Sequence, residues 1–253
     1  MSAKILDDIR NSSTEKVKVA ITDIDGILRG KYLHKDKFLS SVETGFGFCS
    51  VVFGWDSADL CYENSKFTGW HTGYPDATAR IDLNTFRNVP WDNNVPFFLA
   101  DFQNDVCPRQ LLKTVLGRAE KSGYKVFTGM EFEWFNFKKT ENAFANPQPI
   151  SEGMFGYSLV RMNQSQGFFN AIMDELAKFK IPIEGLHTET GPGVFEAAIL
   201  FTNALESSDR AVLFKNSVKE IGHRFGIMPS FMAKWNSKLP GCSGHTHLSL
   251  WND

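Results

Sequence analysis

Alternating hydrophobic and polar positions predict a β-rich first part of the chain, over about residues 15–103. The predicted strands lie at 17–25, 27–33, 45–54, 79–83 and 96–102. A turn at Gly26 separates the first two, which form a hairpin-like pair. A short helix is expected at 34–41, and residues 1–15 form a polar lead-in with one or two helical turns. We therefore expect a small sheet domain with one helix in this part.

From residue 108 onward, predicted helices and strands alternate. A helix begins at Pro108, because proline suits the first helical turn, and it ends at Gly123. Apolar residues at helical spacing predict two more helices, at 166–179 and 204–225. The predicted strands lie at 124–137, 182–189, 194–199 and 243–251. A long polar loop is expected at 138–156, and the alternation favours α/β or α+β packing.

The strand at 124–137 carries two glutamates, Glu131 and Glu133, spaced two residues apart. Successive side chains of a strand point to opposite faces, so both carboxylates project from the same face. Apolar neighbours such as Phe132 and Trp134 limit their solvation, and two adjacent anions then need a cation, a proton or water. A Glu-x-Glu pair by itself is more typical of an acidic sheet face in water.

Further carboxylates and imidazoles occur on separate predicted strands, each beside glycine. Glu189 and Glu196 flank a Gly-Pro-Gly turn that can bring them close together. Glu196 lies among apolar residues, where burial of a lone carboxylate is costly. His245 and His247 repeat the two-residue spacing and share one strand face. A single histidine is more often structural, but the combination favours a convergent ligand site.

This oxygen-rich set, with one or two imidazoles, suits Mg²⁺ or Mn²⁺ rather than zinc or copper. Two divalent ions among several carboxylates suit phosphoryl transfer, because they neutralise phosphate oxygens and position the attacking group. The sequence contains neither a Walker A loop nor a GxGxxG motif, so a nucleotide would have to be held in another way.

Composition narrows the class of protein. The chain has 253 residues, of which 42% are hydrophobic, and a formal net charge of −2. It has no basic run, so nucleic acid is not an expected partner. It has no signal-peptide pattern and no stretch of ~18 apolar residues, so no membrane association is expected. The four cysteines match no zinc spacing and are expected to be reduced thiols, which favours the cytoplasm.

Three ordered motifs resemble the successive signatures of the glutamine synthetase family. They are the Glu-x-Glu strand at 129–137, the segment from His187 to Glu196, and Gly-Cys-Ser-Gly-His-Thr-His at 241–247. The segment from Asp23 to Lys31 and the Gly54-Trp-Asp56 loop resemble the family's β-grasp amino-terminal domain. The resemblance covers essentially the whole chain.

The resemblance implies an α+β architecture. A β-grasp-like domain at 1–105 would precede a glutamine-synthetase-type α/β catalytic domain at 106–253, with a curved antiparallel sheet. The implied activity has two steps: ATP phosphorylates the γ-carboxylate of glutamate, and ammonia or a primary amine then displaces phosphate. The resemblance also implies homo-oligomeric rings with active sites between subunits.

The resemblance further implies two metal sites for Mg²⁺ or Mn²⁺. Glu133, Glu189 and Glu196 correspond to ligands of the metal that serves glutamate. Glu131 and His245 correspond to ligands of the second metal, which serves the nucleotide phosphates.

Five other positions correspond to nucleotide, substrate or catalytic residues of the family. Glu184, His247 and Ser249 correspond to the nucleotide site, with His247 near the transferred phosphate and expected to be catalytic. Gly241 corresponds to the amino-acid substrate site. Asp56 corresponds to the catalytic aspartate that deprotonates the incoming ammonium, supplied by a neighbouring subunit.

The sequence also departs from the family pattern. It stops at Asp253, before a third carboxylate of the second metal site and before an arginine-rich stretch. We therefore expect an incomplete form that is inactive alone. The segment 232–240, Thr188 and the loop 55–59 differ from the residues usual in the family. These differences leave the acceptor open among ammonia, other primary amines and polyamines.

Two other functions fit parts of the sequence. The segment 19–28, with Asp23 and Asp25, resembles the nucleophile strand of haloacid-dehalogenase phosphatases. That chemistry needs a later Gly-Asp-x-x-x-Asp pattern, which the sequence lacks. The non-enzymatic alternative is a catalytically inactive, glutamine-synthetase-like scaffold or regulatory protein.

Overall fold

The computed structural model describes residues 2–252 and has a mixed α+β fold in two compact units, Met1–Lys121 and Ser122–Asp253. Each unit is built on its own sheet. The domain boundary expected at 105/106 stays a prediction. The two compact units divide the chain after residue 121, but compact units need not coincide with domains.

Among its described residues, the first unit contains three α-helices and six strands. The helices are α1 (Ser2–Asn11), α2 (Lys35–Thr44) and α3 (Pro108–Lys121). The strands are β1 (Lys16–Thr22), β2 (Leu28–His34), β3 (Phe46–Cys49), β4 (Asp76–Ile81), β5 (Arg87–Val89) and β6 (Val95–Phe102). Their order is β2-β1-β6-β4-β3, with β5 also on β6, and only β1 and β6 pair in parallel among these described strands.

Helix α2 packs against this sheet through aromatic contacts. Phe38 of α2 stacks on Phe98 of β6 with ring centroids 4.9 Å apart, and both side chains are fully buried. β6 is buried along its whole length and has a neighbouring strand on each edge. The small sheet domain with a packed helix is thus present, while its assignment as a β-grasp stays a prediction.

The strand predicted at 45–54 is wrong in its second half. β3 ends at Cys49, and a 3₁₀ turn over Ser50–Phe53 follows. The Gly54 N–H donates to the Val51 carbonyl over 2.7 Å, and the Ser50 and Thr68 hydroxyls hydrogen-bond at 2.9 Å. Hydrogen bonds within the 3₁₀ turn and to Thr68 therefore take the place of the sheet ladder that the apolar run suggests.

The second unit contains three helices and five strands among its described residues. The helices are α4 (Leu159–Gln164), α5 (Gln166–Lys178) and α6 (Ala204–Arg224). The strands are β7 (Lys125–Lys138), β8 (Ile183–Thr188), β9 (Val194–Asn203), β10 (Ile227–Ser230) and β11 (Gly244–Trp251). They form an antiparallel sheet in the order β10-β7-β9-β8, with β11 also paired to β7. Helix α4 was not predicted, because its six residues are too short to show a periodic pattern.

Aromatic side chains hold α5 and α6 against one face of this sheet. Phe132 of β7 stacks on Phe214 of α6 at 5.8 Å, and Trp134 lies edge-on to Phe214 at 5.6 Å. Phe195 of β9 contacts Phe169 of α5 at 4.4 Å. Side chains alternate along β7, so Glu131 and Glu133 project from the face opposite to Phe132 and Trp134.

A buried asparagine on β7 fixes the turn that joins β8 to β9. The Asn136 side chain is fully buried, and its Oδ1 accepts from the Trp134 indole N–H over 2.8 Å. Its Nδ2 and its backbone N–H both donate to the Gly193 carbonyl, over 3.0 and 2.9 Å. Asn136 thus satisfies both the Gly193 carbonyl of the turn and the Trp134 indole N–H.

Replacing Asn136 by alanine is expected to destabilise the fold by about 2–3 kcal/mol, because the Trp134 N–H loses its buried partner and Gly193 loses a donor. Urea denaturation followed by circular dichroism measures this difference. The exposed Asn163→Ala on α4 is the matched control and should change stability by less than about 0.5 kcal/mol. Equal effects of the two substitutions would contradict a structural role for Asn136.

Candidate metal and nucleotide site

Strand register brings the predicted acidic residues into one row across the second sheet. Glu133 of β7 lies directly opposite Glu196 of β9, and Glu196 lies opposite His187 of β8. On the other side of β7, His245 of β11 lies opposite Glu131. Cross-strand neighbours share a face, so these residues project together from the face away from α5 and α6.

The two-residue spacings extend this row along each strand. Glu131 and Glu133 share a face of β7, as predicted, and His245 and His247 share a face of β11. Glu189 follows β8 directly and lies two residues beyond the row. The two glutamates of β7 and the two imidazoles of β11 therefore lie on the same face of the sheet.

One cluster contains Glu131, Glu196 and His245, whose ligand atoms all lie within 4.8 Å of one another. His245 Nδ1 lies 3.2 Å from Glu131 Oε2, and His247 Nε2 lies 3.3 Å from the same oxygen. Partial burial would raise the pKa of Glu131, but hydrogen bonds from His247 and His245 hold it below its ordinary value. Glu131 is therefore ready as an anionic ligand.

A second cluster contains His187, Glu189 and Glu196, again with ligand atoms within 4.8 Å. His187 Nδ1 lies 3.8 Å from Glu189 Oε2, and its Nε2 lies 3.8 Å from Glu196 Oε2. The Tyr157 ring stacks on the imidazole at 4.2 Å and fixes its plane. His187 was missing from the predicted ligands, although its spacing of two from Glu189 was a usable signal.

Glu133 behaves differently from the other glutamates in this structure. Its Oε2 accepts from the Ser243 backbone N–H over 3.0 Å, and its Oε1 accepts from the Ser243 hydroxyl over 2.9 Å. It belongs to neither cluster among the described residues, although register places it beside Glu196. Its role as a metal ligand stays a prediction.

Glu196 is the electrostatic centre of the row, since it belongs to both clusters. Burial raises the pKa of Glu196, and His187 opposes this shift, while the negative charges of Glu133, Glu189 and Glu131 raise it further. Its side chain is only 16% exposed. The crowding of these carboxylates around Glu196 would be relieved by a bound cation.

Three of the predicted nucleotide residues line one cavity beside the row. Glu184, His247 and Ser249 border a cavity of about 290 Å³, together with Glu131. Phe127 and Phe201 supply apolar walls, with ring centroids 6.4 Å apart. The structure therefore brings the three residues together, and their contact with a nucleotide stays a prediction.

The predicted substrate residue Gly241 lies in the loop before β11. A Cβ there would come within 2.6 Å of the Ala233 carbonyl oxygen, so only glycine fits without a backbone shift. The next residue, Cys242, donates its N–H to the same carbonyl over 2.8 Å. This close approach shapes the loop, and glutamate binding by Gly241 stays a prediction.

The predicted catalytic residue Asp56 lies in the first unit, in a tight loop. Its Oδ1 accepts from the Ala58 and Leu60 backbone N–H groups over 2.8 and 3.0 Å. Arg29 holds the same loop by an ion pair from Nη1 to Asp59 Oδ1 at 2.6 Å. The loop is thus built around Asp56, whose catalytic role stays a prediction.

Asp23, the residue that suggested a phosphatase, has a structural environment. It is 1% exposed, and its Oδ1 accepts from the Asp25 and Ile27 N–H groups over 3.0 and 2.8 Å. Its Oδ2 pairs with Arg29 Nε at 2.7 Å. Both oxygens are therefore occupied within the turn, which does not favour a nucleophile.

In residues 2–252, no helix has the length and apolar character needed to cross a membrane.

The sequence matches a family model described as glutamine synthetase, catalytic domain, over residues 105–253. A type-1 glutamine synthetase 2 from Dictyostelium discoideum is 55% identical over 97% of this chain and 49% of its own length. A glutamate–isopropylamine ligase from a Pseudomonas species is 32% identical over 98% of this chain and 56% of its own length. The chain thus spans about half the length of these relatives.

Solved structures share the fold. Apo GmaS superposes with a TM-score of 0.83 at 24% identity, covering 98% of this chain and 57% of its own length. The glutamine synthetase of Plasmodium falciparum superposes with a TM-score of 0.80 at 20% identity, covering 100% of this chain and 54% of its own length. The predicted α+β class with a curved sheet is confirmed by these likenesses.

Replacing Glu196 by glutamine is expected to stabilise the metal-free protein at neutral pH. Because the pKa of Glu196 is raised by folding, the folded state favours the protonated form, and ionisation above that pKa costs stability. The melting temperature of Glu196→Gln should exceed the wild-type value by about 2–4 °C at pH 7, which corresponds to ~1 kcal/mol.

This difference should shrink as the pH falls through the raised pKa of Glu196, because the wild-type carboxyl then becomes neutral. Differential scanning fluorimetry in EDTA between pH 4 and pH 8 measures it. Glu184→Gln, which changes an exposed carboxylate on β8 outside both clusters, is the matched control. A pH-independent difference would show that Glu196 is not strained by its neighbours.

Proposed function

Because the chain belongs to the glutamine synthetase family, we propose that it forms the metal-binding and nucleotide-binding part of an ATP-dependent ligase. The ligase would join ammonia or a primary amine to the γ-carboxylate of glutamate. The observation that carries this proposal is the convergence of Glu131, Glu196 and His245 with His187 and Glu189 on one sheet face.

The donor set fits Mg²⁺ or Mn²⁺ at two sites. Carboxylate oxygens dominate it, one imidazole completes each cluster, and no cysteine belongs to either cluster of described residues. Glu131 and His245 would hold one ion, and Glu189 with Glu196 would hold the other, with Glu133 turning from Ser243 to join them. When bound, such ions neutralise phosphate oxygens and orient the reacting carboxylate.

The proposed reaction has two steps. A γ-carboxylate oxygen of glutamate attacks the γ-phosphorus of ATP, the bond to ADP breaks, and γ-glutamyl phosphate forms. The amine nitrogen then attacks the carbonyl carbon of the acyl phosphate, the bond from that carbon to the phosphate oxygen breaks and inorganic phosphate leaves, and the carboxylate of Asp56 accepts the amine proton. Glu184 and Ser249 would bind the nucleotide in the cavity beside Glu131, and His247 would hold the transferred phosphate.

The proposed ligase needs an acceptor amine and a subunit arrangement that completes its active site. The names of two relatives refer to isopropylamine and to an ethanolamine-type amine, the second being a γ-glutamylethanolamide synthetase from Streptomyces coelicolor with 31% identity. We propose a cytoplasmic homo-oligomer in which the Asp56 loop of one subunit completes the site of its neighbour. Gly241 would bind the substrate glutamate.

We expect Mn²⁺ to stabilise this chain through the two clusters. At a concentration of 100 times its Kd, one bound ion should add about 2.7 kcal/mol, visible as a higher melting temperature. Glu131→Gln and Glu189→Gln should each weaken Mn²⁺ binding about tenfold or more, measured by the electron paramagnetic resonance signal of free Mn²⁺. Glu152→Gln, an exposed loop carboxylate, serves as the control and should bind like wild type. Wild-type binding by both ligand variants would exclude the clusters as metal sites.

For the longest product of the gene that contains this sequence, we expect phosphate release that depends on ATP, glutamate, Mn²⁺ and an amine. Asp56→Asn should lower kcat by about 10²–10⁴-fold, because the variant has no carboxylate to accept the proton of the incoming amine. The control Asp25→Asn changes an exposed carboxylate of the same unit and should keep the rate.

Comparing ammonium, isopropylamine and ethanolamine in this assay identifies the acceptor. Metal binding without amine-dependent phosphate release would support the scaffold function instead. A fully active Asp56→Asn variant would contradict the catalytic role of Asp56 but not the ligase proposal itself.

A further inference from the structure

A large cavity lies at the other end of β7, within the second unit. Its volume is about 840 Å³, and its lining includes Phe137, Met228 and Trp235 together with Lys139, Lys219 and His223. Phe137 follows Glu133 by four residues along β7, which corresponds to about 13 Å. The cavity therefore contains none of the glutamates or histidines that form the two metal clusters.

One wall of the cavity is aromatic and apolar. The Phe137 and Trp235 rings meet edge to face, with centroids 5.2 Å apart, and Phe137 is almost fully buried. The Trp235 indole N–H is buried and has no hydrogen-bond partner in the described chain. At the rim, the Phe144 side chain is 92% exposed. An exposed aromatic ring above an apolar wall is a surface that a ligand with an apolar body can cover.

The other wall is basic. The Lys139 ammonium contacts Nε2 of His223, and Lys219 lies one helical turn before His223 on α6. Lys215 precedes Lys219 by another four residues, so three basic side chains follow one face of the helix.

Nothing within the described chain neutralises this wall. Among residues 2–252, no Asp or Glu lines the cavity, and none pairs with Lys139, Lys219 or His223. Desolvation lowers the pKa of Lys219, and the charge of Lys215 lowers it further, so an anion placed here would reverse an unfavourable field.

We propose that this cavity binds a small organic carboxylate with an apolar, preferably aromatic, body. The carboxylate would accept hydrogen bonds from Lys139, Lys219 and His223, and the body would lie against Phe137, Met228 and Trp235. Basic groups at one wall and rings at the other match the two ends of such a molecule. The site is independent of the proposed ligase chemistry.

Isothermal titration calorimetry of this chain with 4-phenylbutyrate tests the proposal. Two matched probes separate the contributions: 4-phenylbutanol keeps the body without the charge, and acetate keeps the charge without the body. We expect 4-phenylbutyrate to bind at least tenfold more tightly than either probe. Absence of binding, or equal binding of 4-phenylbutanol, would overturn the proposal, and so would inorganic phosphate binding as tightly as 4-phenylbutyrate.

Substitutions of lining residues then test whether the ligand binds in this cavity. The double variant Lys139→Met/Lys219→Met should weaken 4-phenylbutyrate binding at least tenfold. Lys138→Met changes the neighbouring exposed lysine, which does not line the cavity, and should leave the affinity unchanged. Equal affinity of the double variant and Lys138→Met would overturn the assignment. If the double variant does not fold by near-ultraviolet circular dichroism, Lys139→Gln alone carries the same comparison.

Discussion

The antiparallel pairing of β7 with β9 is the constraint on which the acidic face depends. Glu133 lies opposite Glu196, and the register continues unbroken through Trp134 with Phe195 and Phe135 with Val194. Side chains alternate along a strand, so a slip of one residue would turn a glutamate to the face that α6 covers. Like charges directly opposite each other are unfavourable, so the neighbouring apolar pairs must hold the register.

The aromatic layer on the opposite face supplies that stability. Trp134, Phe195 and Phe214 are fully or almost fully buried and meet edge to face at 5.6–5.9 Å. Such ring pairs contribute about 0.5–1.5 kcal/mol each beyond their burial. An apolar face of this strength lets the same strands carry a row of carboxylates on the other side, which is a local conflict typical of functional sites.

The two ends of β7 have opposite chemistry because different elements meet them. At Glu131 the partner is β11, which brings two imidazoles to a carboxylate. Beyond Phe137 the partner is β10, and the end of α6 brings basic side chains instead. Asp23 in the first unit shows the same dependence on partners. Its sequence pattern suits a phosphatase nucleophile, but Arg29 and two backbone amides give it a structural role.

The sequence by itself determined which side chains share a face and where the three longest helices, α3, α5 and α6, begin and end. The spacing of Glu131 from Glu133, and of His245 from His247, was sufficient because alternation is a local property of an extended backbone. Only the tertiary structure decided which strands are neighbours. It places His187 beside Glu196, and it brings Ser243, 110 positions away in sequence, to donate hydrogen bonds to Glu133. The hydrogen bonds that pair β11 with β7 join distant parts of the chain and are encoded by no local pattern, whereas β8 and β9 are consecutive strands joined by a short turn.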